Sequence, residues 1–393
     1  PAEPVGGEPA EPSQSDPAPS ETAAEPSSES TSAPATETEP AAPTAEAQAR
    51  EKLAQMTLRE KIAQMCFITP EALLHDSGAV TAAGEGVKTA FDSIPVGGVI
   101  LMGQNLTGMA QTKALCAALQ SYSASRVGLP IFIGVDEEGG DVARVSGTGK
   151  FGIESIPRMA SVGAAGDTAQ ARAIGETVGG YLAELGFNVD FAPDADVLSN
   201  PANTVVKTRS FGANGDLVAL MAGAFAEGLQ SKDVRGCYKH FPGHGATAED
   251  SHKGFAVSYR TVDELWENDL VPFMDGVRMG VPFIMSGHIS LPNAAKEDLP
   301  ASLSYEILTG LLRSEMRYDG IIITDALNMG AITQRFSAAE VAVLAVKAGN
   351  DMLLIADNAE TYVAALEQAV QSGDIPESRI DESVYRILRE KLK

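Results

Sequence analysis

The first 46 of the 393 residues contain no lysine or arginine, against ten acidic residues and ten prolines. Almost everything else there is Ala, Ser, Thr or Gly. Such a segment cannot bury enough apolar surface to offset the entropy of ordering it. Residues 1–46 therefore read as a disordered acidic tether, although a low-complexity tail without a role has the same composition. Ten of the 24 net negative charges lie in this segment, and fourteen remain for the rest of the chain. Neither part has a basic patch, which argues against nucleic acid and against electrostatic attachment to anionic membranes. No apolar run approaches the ~20 residues needed to cross a bilayer. The chain starts at Pro1 rather than Met, which is consistent with removal of a targeting peptide. A tether of this composition ahead of a folded part fits an exported, extracellular or cell-surface protein, with an intracellular linker as the alternative.

Cysteine is scarce. Cys66, Cys116 and Cys237 are widely spaced, odd in number and set in apolar surroundings, with no C-x-x-C. Buried structural thiols are expected, rather than a disulfide framework or a zinc knuckle.

What the chain does have, from residue 47 onward, is alternation. Short apolar, β-branched runs recur at 96–101, 130–135, 187–192, 234–238, 282–285, 320–324 and 351–355, with 64–69 a weaker eighth. Between them lie Ala/Leu/Gln/Glu-rich stretches of helical character at 108–126, 168–185, 216–232, 262–279, 304–317 and 338–348. Several end in glycine (Gly128, Gly186, Gly280, Gly349), which accepts the left-handed C-cap conformation without a Cβ clash. An amphipathic helix is expected over 47–65, with Thr57 and Glu60 forming a capping box within it, and a closing helix over 380–392. Continuously apolar strands joined by helices imply a parallel sheet covered on both faces. The expectation is one α/β domain over 47–393, a (β/α)8 TIM-type barrel, with an open doubly wound sheet as second choice. No Gly-rich dinucleotide fingerprint or phosphate loop opens any helix, which counts against the second and leaves no cofactor implied.

In a barrel, polar residues just after each strand share one mouth. Here they are Asp136-Glu137-Glu138-Gly139-Gly140 with Arg144, then Asp190, Asp194 and Arg209. Next come the stretch 239–252 with Lys239, His240, His244, Asp250 and His252, then Ser286-Gly287-His288, and finally Thr324-Asp325. Carboxylates, histidines and cationic donors converging without a cysteine cluster favour hydrolysis of a hydroxyl-rich substrate. Splitting a glycosidic bond needs a nucleophile at the anomeric carbon and a proton for the leaving oxygen. Asp325, at the end of an Ile-Ile-Ile-Thr run, suits the nucleophile, though its position equally suits a helix N-cap. Asp250 and His252 are two apart and share one side of an extended loop. The carboxylate can fix the imidazole tautomer and leave the other nitrogen to donate, but an exposed loop that merely contains both residues reads the same. His240 and His244 are four apart, yet Pro242, Gly243 and Gly245 oppose the helix that would align them. With no H-E-x-x-H, no metal is expected.

Lys239-His240-Phe241-Pro242-Gly243-His244-Gly245 followed by Asp250-Ser251-His252 resembles the β-N-acetylglucosaminidases of glycoside hydrolase family 3. Gly97-Gly98-Val99-Ile100-Leu101, Asp136-x-Glu138-Gly139-Gly140, Asp190-Phe191-Ala192-Pro193, Arg209-Ser210-Phe211-Gly212 and Thr324-Asp325-x-Leu327-x-Met329 agree in order and spacing. The resemblance covers about residues 50–393. It implies Asp325 as nucleophile and His252, paired with Asp250, as acid/base. It also implies that Asp136, Arg144, Arg209, Lys239 and His240 hold the sugar. Many relatives take the proton donor from a glutamic acid on a second domain, where single-domain members use the Asp-x-His loop. Departures are Glu137 where Gln is usual, Asp141 where Arg is frequent, and Ala246 and Ala326 where Asp is frequent.

The resulting expectation is a monomeric retaining exo-β-N-acetylglucosaminidase acting on muropeptide fragments of the cell wall or on chitin-type oligosaccharides. A β-glucosidase, a GlcNAc phosphorylase on the same scaffold, a non-catalytic glycan-binding protein and a metal hydrolase are the competing readings.

Overall fold

The eight barrel strands are β1 (Cys66–Ile68), β2 (Gly98–Ile100), β3 (Phe132–Val135), β4 (Val189–Asp190), β5 (Arg235–Phe241), β6 (Phe283–Ser286), β7 (Ile321–Thr324) and β8 (Leu353–Ile355). In this computed structural model, which describes residues 43–75, 78–247, 256–355 and 357–393, each strand pairs in parallel with the next along the chain, and β8 returns to β1. A parallel bridge between Ile323 and Met352 joins β7 to β8 and closes the ring. That closure decides for the (β/α)8 barrel over the open sheet. Residues 1–42 of the expected tether, and Asp250 and His252, lie outside the described residues.

Every strand expected from sequence is present, shortened by a residue or two at most ends; β6 runs one residue further than expected, to Ser286, and β5 three residues further. The latter was expected over 234–238 and instead continues to Phe241, placing Lys239 and His240 on the strand itself. Burial explains the extension: Phe241 is fully buried and meets Phe273 edge-on at 5.3 Å.

Rings from strands that are not neighbours fill the interior. Phe67 on β1 meets Phe191, just after β4, at 5.1 Å, and Phe132 on β3 meets Phe283 on β6 at 5.2 Å. The first pair needs bare backbone around it, because a Cβ at Gly98 would stand 2.4 Å from the Phe67 ring and one at Gly134 would stand 2.8 Å from Phe191. Large rings on some strands and glycines on others are how a small barrel reaches close packing.

The helices include Met109–Val127, Thr168–Leu185, Gly215–Gln230 and Ala338–Ala348. Gly186 ends the second of these at φ 95°, where its N–H bonds back into the last turn. The helix expected over 47–65 is instead two, Ala45–Gln55 and Leu58–Gln64. Thr57 is the reason. It forms the anticipated capping box with Glu60, but an N-cap residue needs extended backbone (here φ −70°, ψ 159°), so a helix cannot run through it. The first helix is capped by Thr44, so helical structure begins at Ala45, two residues before the expected domain start.

The helix expected over 262–279 is also divided. A π-wound turn, Leu265–Asp269, precedes Val271–Met279, whose first turn holds Pro272. Proline has no N–H to donate into a continuous ladder. All three cysteines are buried and free, and burial pushes the Cys66 and Cys116 thiols up to about 12. Among the described residues no helix is long and apolar enough to cross a membrane.

Candidate active site

A cavity of about 690 Å3 opens at the C-terminal ends of the strands. Asp136 and Arg144 reach it from the segment after β3, Arg209 from the long loop after β4, Lys239 and His240 from β5, and Asp325 from the end of β7. Six of the eight site residues derived from sequence therefore share one cavity; the other two are Asp250 and His252.

Charge is organised around Lys239, which is 3% exposed and lies 2.9 Å from Asp136 Oδ1 and 2.7 Å from Glu138 Oε1. Arg209 grips Glu138 with both arms, Nε to Oε2 at 2.8 Å and Nη2 to Oε1 at 2.7 Å. Burial alone would raise the Glu138 acid, but Arg209 and Lys239 bring it down to about 2. Burial likewise disfavours the Lys239 ammonium, yet Asp136 and Glu138 hold it above its ordinary range. These groups are thus charged and rigid, as an oriented hydroxyl-binding wall requires. Arg144 is bound more loosely, with Nη2 4.0 Å from Asp136 Oδ2.

Asp196 was not among the residues singled out from sequence. Its Oδ2 accepts from His240 Nδ1 at 2.7 Å, and its Oδ1 accepts from the His240 and His244 backbone N–H groups at 3.2 and 2.6 Å. With Nδ1 donating, His240 Nε2 is the acceptor, and Arg209 Nη2 stands 3.4 Å from it. Neighbouring Asp194 is pushed well above the usual carboxylate range by burial and by Asp196, whereas Asp196 is held low, despite burial, by His240. The pair thus behaves as one charge. Asp194, Asp196 and His240 each place a possible metal-ligating atom within 4.8 Å of the others. His240 Nδ1 and Asp196 Oδ2 satisfy one another, and Asp194 Oδ1 accepts from the Asp196 N–H at 3.0 Å, while among the described residues Asp194 Oδ2 is buried without a hydrogen-bond partner. The pattern Asp194-x-Asp196 just past a strand was the available signal.

Asp325 does not cap a helix. The next helix, Gly330–Thr333, has Met329 at its N-cap, and Asp325 Oδ1 accepts from the adjacent Ala326 N–H at 2.7 Å. Its own N–H donates to Ser286 O at 2.9 Å, tying the tip of β7 to β6. Burial opposes ionisation here, but His288, His240, the Ala326 N–H and Lys239 hold the acid below its ordinary range. His288 also braces this turn, with Nε2 3.0 Å from Ala326 O and Nδ1 2.7 Å from Ser302 Oγ. The product is an ionised carboxylate that lines the cavity from a turn tied to β6.

Two of the departures have local explanations. Glu137 faces away from the cavity and accepts from the Val145 and Ser146 N–H groups and from Tyr181 Oη. Asp141 is engaged by Arg158 at 2.8 Å and by Thr208 Oγ1 at 2.6 Å, clasping the segment after β3 to the loop carrying Arg209.

The family model for the glycosyl hydrolase family 3 N terminal domain matches residues 57–390. Among curated proteins, Beta-hexosaminidase A of Pseudoalteromonas piscicida is 35% identical over 80% of this chain and 56% of its own length. Beta-hexosaminidase LpqI of Mycobacterium tuberculosis is 36% identical over 69% of this chain and 70% of its own. Among solved structures, the family 3 β-N-acetylglucosaminidase of a Paenibacillus species is 36% identical with a TM-score of 0.79, covering 86% of this chain and 63% of that one. A β-N-acetylhexosaminidase of Beutenbergia cavernae is 28% identical with a TM-score of 0.76, covering 86% and 99%. The chain thus spans little more than half of the Pseudoalteromonas enzyme but almost all of the Beutenbergia one. With the family model matched over nearly the whole barrel, the chain belongs to glycosyl hydrolase family 3.

Proposed function

We propose that the chain is a retaining exo-β-N-acetylglucosaminidase that removes terminal GlcNAc from muropeptide fragments or chitin-type oligosaccharides. The observation that carries this reading is Asp325: an ionised carboxylate with Oδ1 pinned by Ala326, facing a cavity walled by Asp136, Arg144, Arg209, Lys239 and His240. The hexosaminidase activity named for its relatives supports the choice of sugar.

In this mechanism an Asp325 oxygen attacks the anomeric carbon as the bond to the leaving oxygen breaks. His252, with Asp250 on its other nitrogen, gives that oxygen its proton. Water then attacks the glycosyl-enzyme from the vacated side, His252 takes the proton, and the Asp325–sugar bond breaks with net retention. Lys239 and His240, held by Glu138 and Asp196, supply oriented donors and acceptors to the sugar hydroxyls.

The test is a panel of aryl glycosides assayed with and without phosphate. Aryl GlcNAc should be cleaved in preference to aryl glucoside, with free GlcNAc as product under both conditions. Preference for glucoside, sugar 1-phosphate as product, or binding without turnover would each replace the proposal with one of its competitors. The acidic, proline-rich composition of segment 1–46 supports export and surface display, which cell fractionation would check; the chain is proposed to act as a monomer, which sedimentation of the purified chain would check.

A further inference from the structure

Glu71 follows β1 at the start of the short helix Pro70–Leu74 and lines the same cavity as Asp325. Its two oxygens have different surroundings. Oε1 accepts from Asn105 Nδ2 at 2.6 Å and from the Val80 N–H at 2.9 Å, which fastens the loop after β1 to the one after β2. Asn105 is itself fully buried and donates to Val80 O as well, so this corner is rigid. Oε2 is buried and, among the described residues, has no hydrogen-bond partner.

An unmet carboxylate oxygen out of water is costly, and native proteins rarely leave one without a use. Arg144 also lines this cavity, and its Nε is buried and, among the described residues, without a hydrogen-bond partner. The cavity therefore offers an unmet acceptor on the β1 wall and an unmet donor from the segment after β3. The ring order places Glu71 beside β8 and so one strand removed from β7, which carries Asp325.

We propose that Glu71 is a substrate-binding residue whose Oε2 accepts a hydrogen bond from a hydroxyl or acylamino N–H of the sugar in the cavity. The inference rests on the glycosidase reading of this site. The bond is charge-assisted, and Oε1 keeps the carboxylate aimed without help from the ligand, so little ordering entropy is lost on binding.

Glu71→Gln tests this, because its carbonyl can still accept from Asn105 and Val80 while its amide presents hydrogens where Oε2 was an acceptor. Two readouts are needed: kinetics on aryl GlcNAc, and the rise in unfolding temperature produced by free GlcNAc. The expected result is an unchanged unfolding temperature without sugar, a KM raised about tenfold with kcat nearly kept, and a smaller sugar-induced rise. Aryl glucoside, which lacks the acylamino N–H, distinguishes the two donors: equal loss on both substrates assigns a hydroxyl, loss on GlcNAc alone assigns the N–H. Unchanged KM and an unchanged sugar response would overturn the proposal while leaving the glycosidase reading intact. So would a loss that only tracks a lowered unfolding temperature, which would make Glu71 a loop fastener. A wild-type chain that turns over no glycoside yet is stabilised by GlcNAc through Glu71 would instead remove the glycosidase reading and keep this one.

Discussion

Asp196 Oδ2 lies 2.7 Å from His240 Nδ1, while the other oxygen of the same carboxylate accepts from the backbone of His240 and of His244. One side chain from the segment after β4 thus sets both the tautomer of His240 and the path of the chain leaving β5. Asp196→Ala should lower kcat/KM on aryl GlcNAc by about 10²-fold, the scale of a misplaced binding group. Asp196→Asn is the sharper probe. An amide donor facing Nδ1 would move the imidazole hydrogen to Nε2, towards Arg209, and ¹⁵N spectra of His240 would report the exchange. An unaltered tautomer would separate His240 orientation from Asp196.

Asp325→Asn removes the charge without changing the shape of the turn. Turnover should fall by roughly 10⁴-fold or more, as when a nucleophile is lost from a covalent mechanism, with the unfolding temperature little changed. Retained hydrolysis, measured with an activated aryl leaving group, would take the nucleophile away from Asp325.

Lys239→Met leaves two carboxylates without their shared ammonium. Because Lys239 and Glu138 are buried, the expected loss of stability is about 3–5 kcal/mol. Glu138 is depressed to about 2 from an ordinary 4.5, so its contribution is complete above about pH 4.5 and disappears as the pH falls towards 2. The gap between wild type and variant in chemical denaturation should accordingly be widest near neutrality and narrow in acid. A gap independent of pH would show that packing, not charge, is what Lys239 provides.

Asp269 has the opposite sign. Among the described residues both its oxygens are buried without hydrogen-bond partners, Arg260 Nε stands 3.6 Å from Oδ2, and burial lifts its acid to about 6. An acid raised in the folded state destabilises it increasingly as the pH rises from about 4 to 6, and by a constant amount above that. Asp269→Asn should therefore raise stability by on the order of 2–3 kcal/mol at neutral pH, converging with wild type towards pH 4. Melting curves across that range check it, and a variant less stable at pH 7.5 would refute it.

The alternation of apolar runs and helical stretches was sufficient for a parallel sheet covered by helices, because a strand buried on both faces leaves a continuous signature and a helix an interrupted one; the choice of closed barrel over open sheet was decided by the bridge from β7 to β8. The polar residues after each strand include eight that line the cavity, because in a parallel barrel all strands end on one face, whereas the choice of Asp136, Arg144, Arg209, Lys239 and His240 as sugar-holding residues came from the family resemblance. Boundaries were less legible. Residues 47–65 carry one helical pattern, and only the realised cap at Thr57 divides it; β5 runs on to Phe241 because that ring has a partner in Phe273, which is distant in sequence. The supports of the site were the least legible. Asp196, Glu138 and Glu71 derive their roles from partners 34 to 101 residues away: Asp196 from His240 at a separation of 44, Glu138 from Arg209 at 71 and from Lys239 at 101, and Glu71 from Asn105 at 34. A carboxylate's charge state depends on which cations and N–H groups surround it, and the closed barrel alone brings those together.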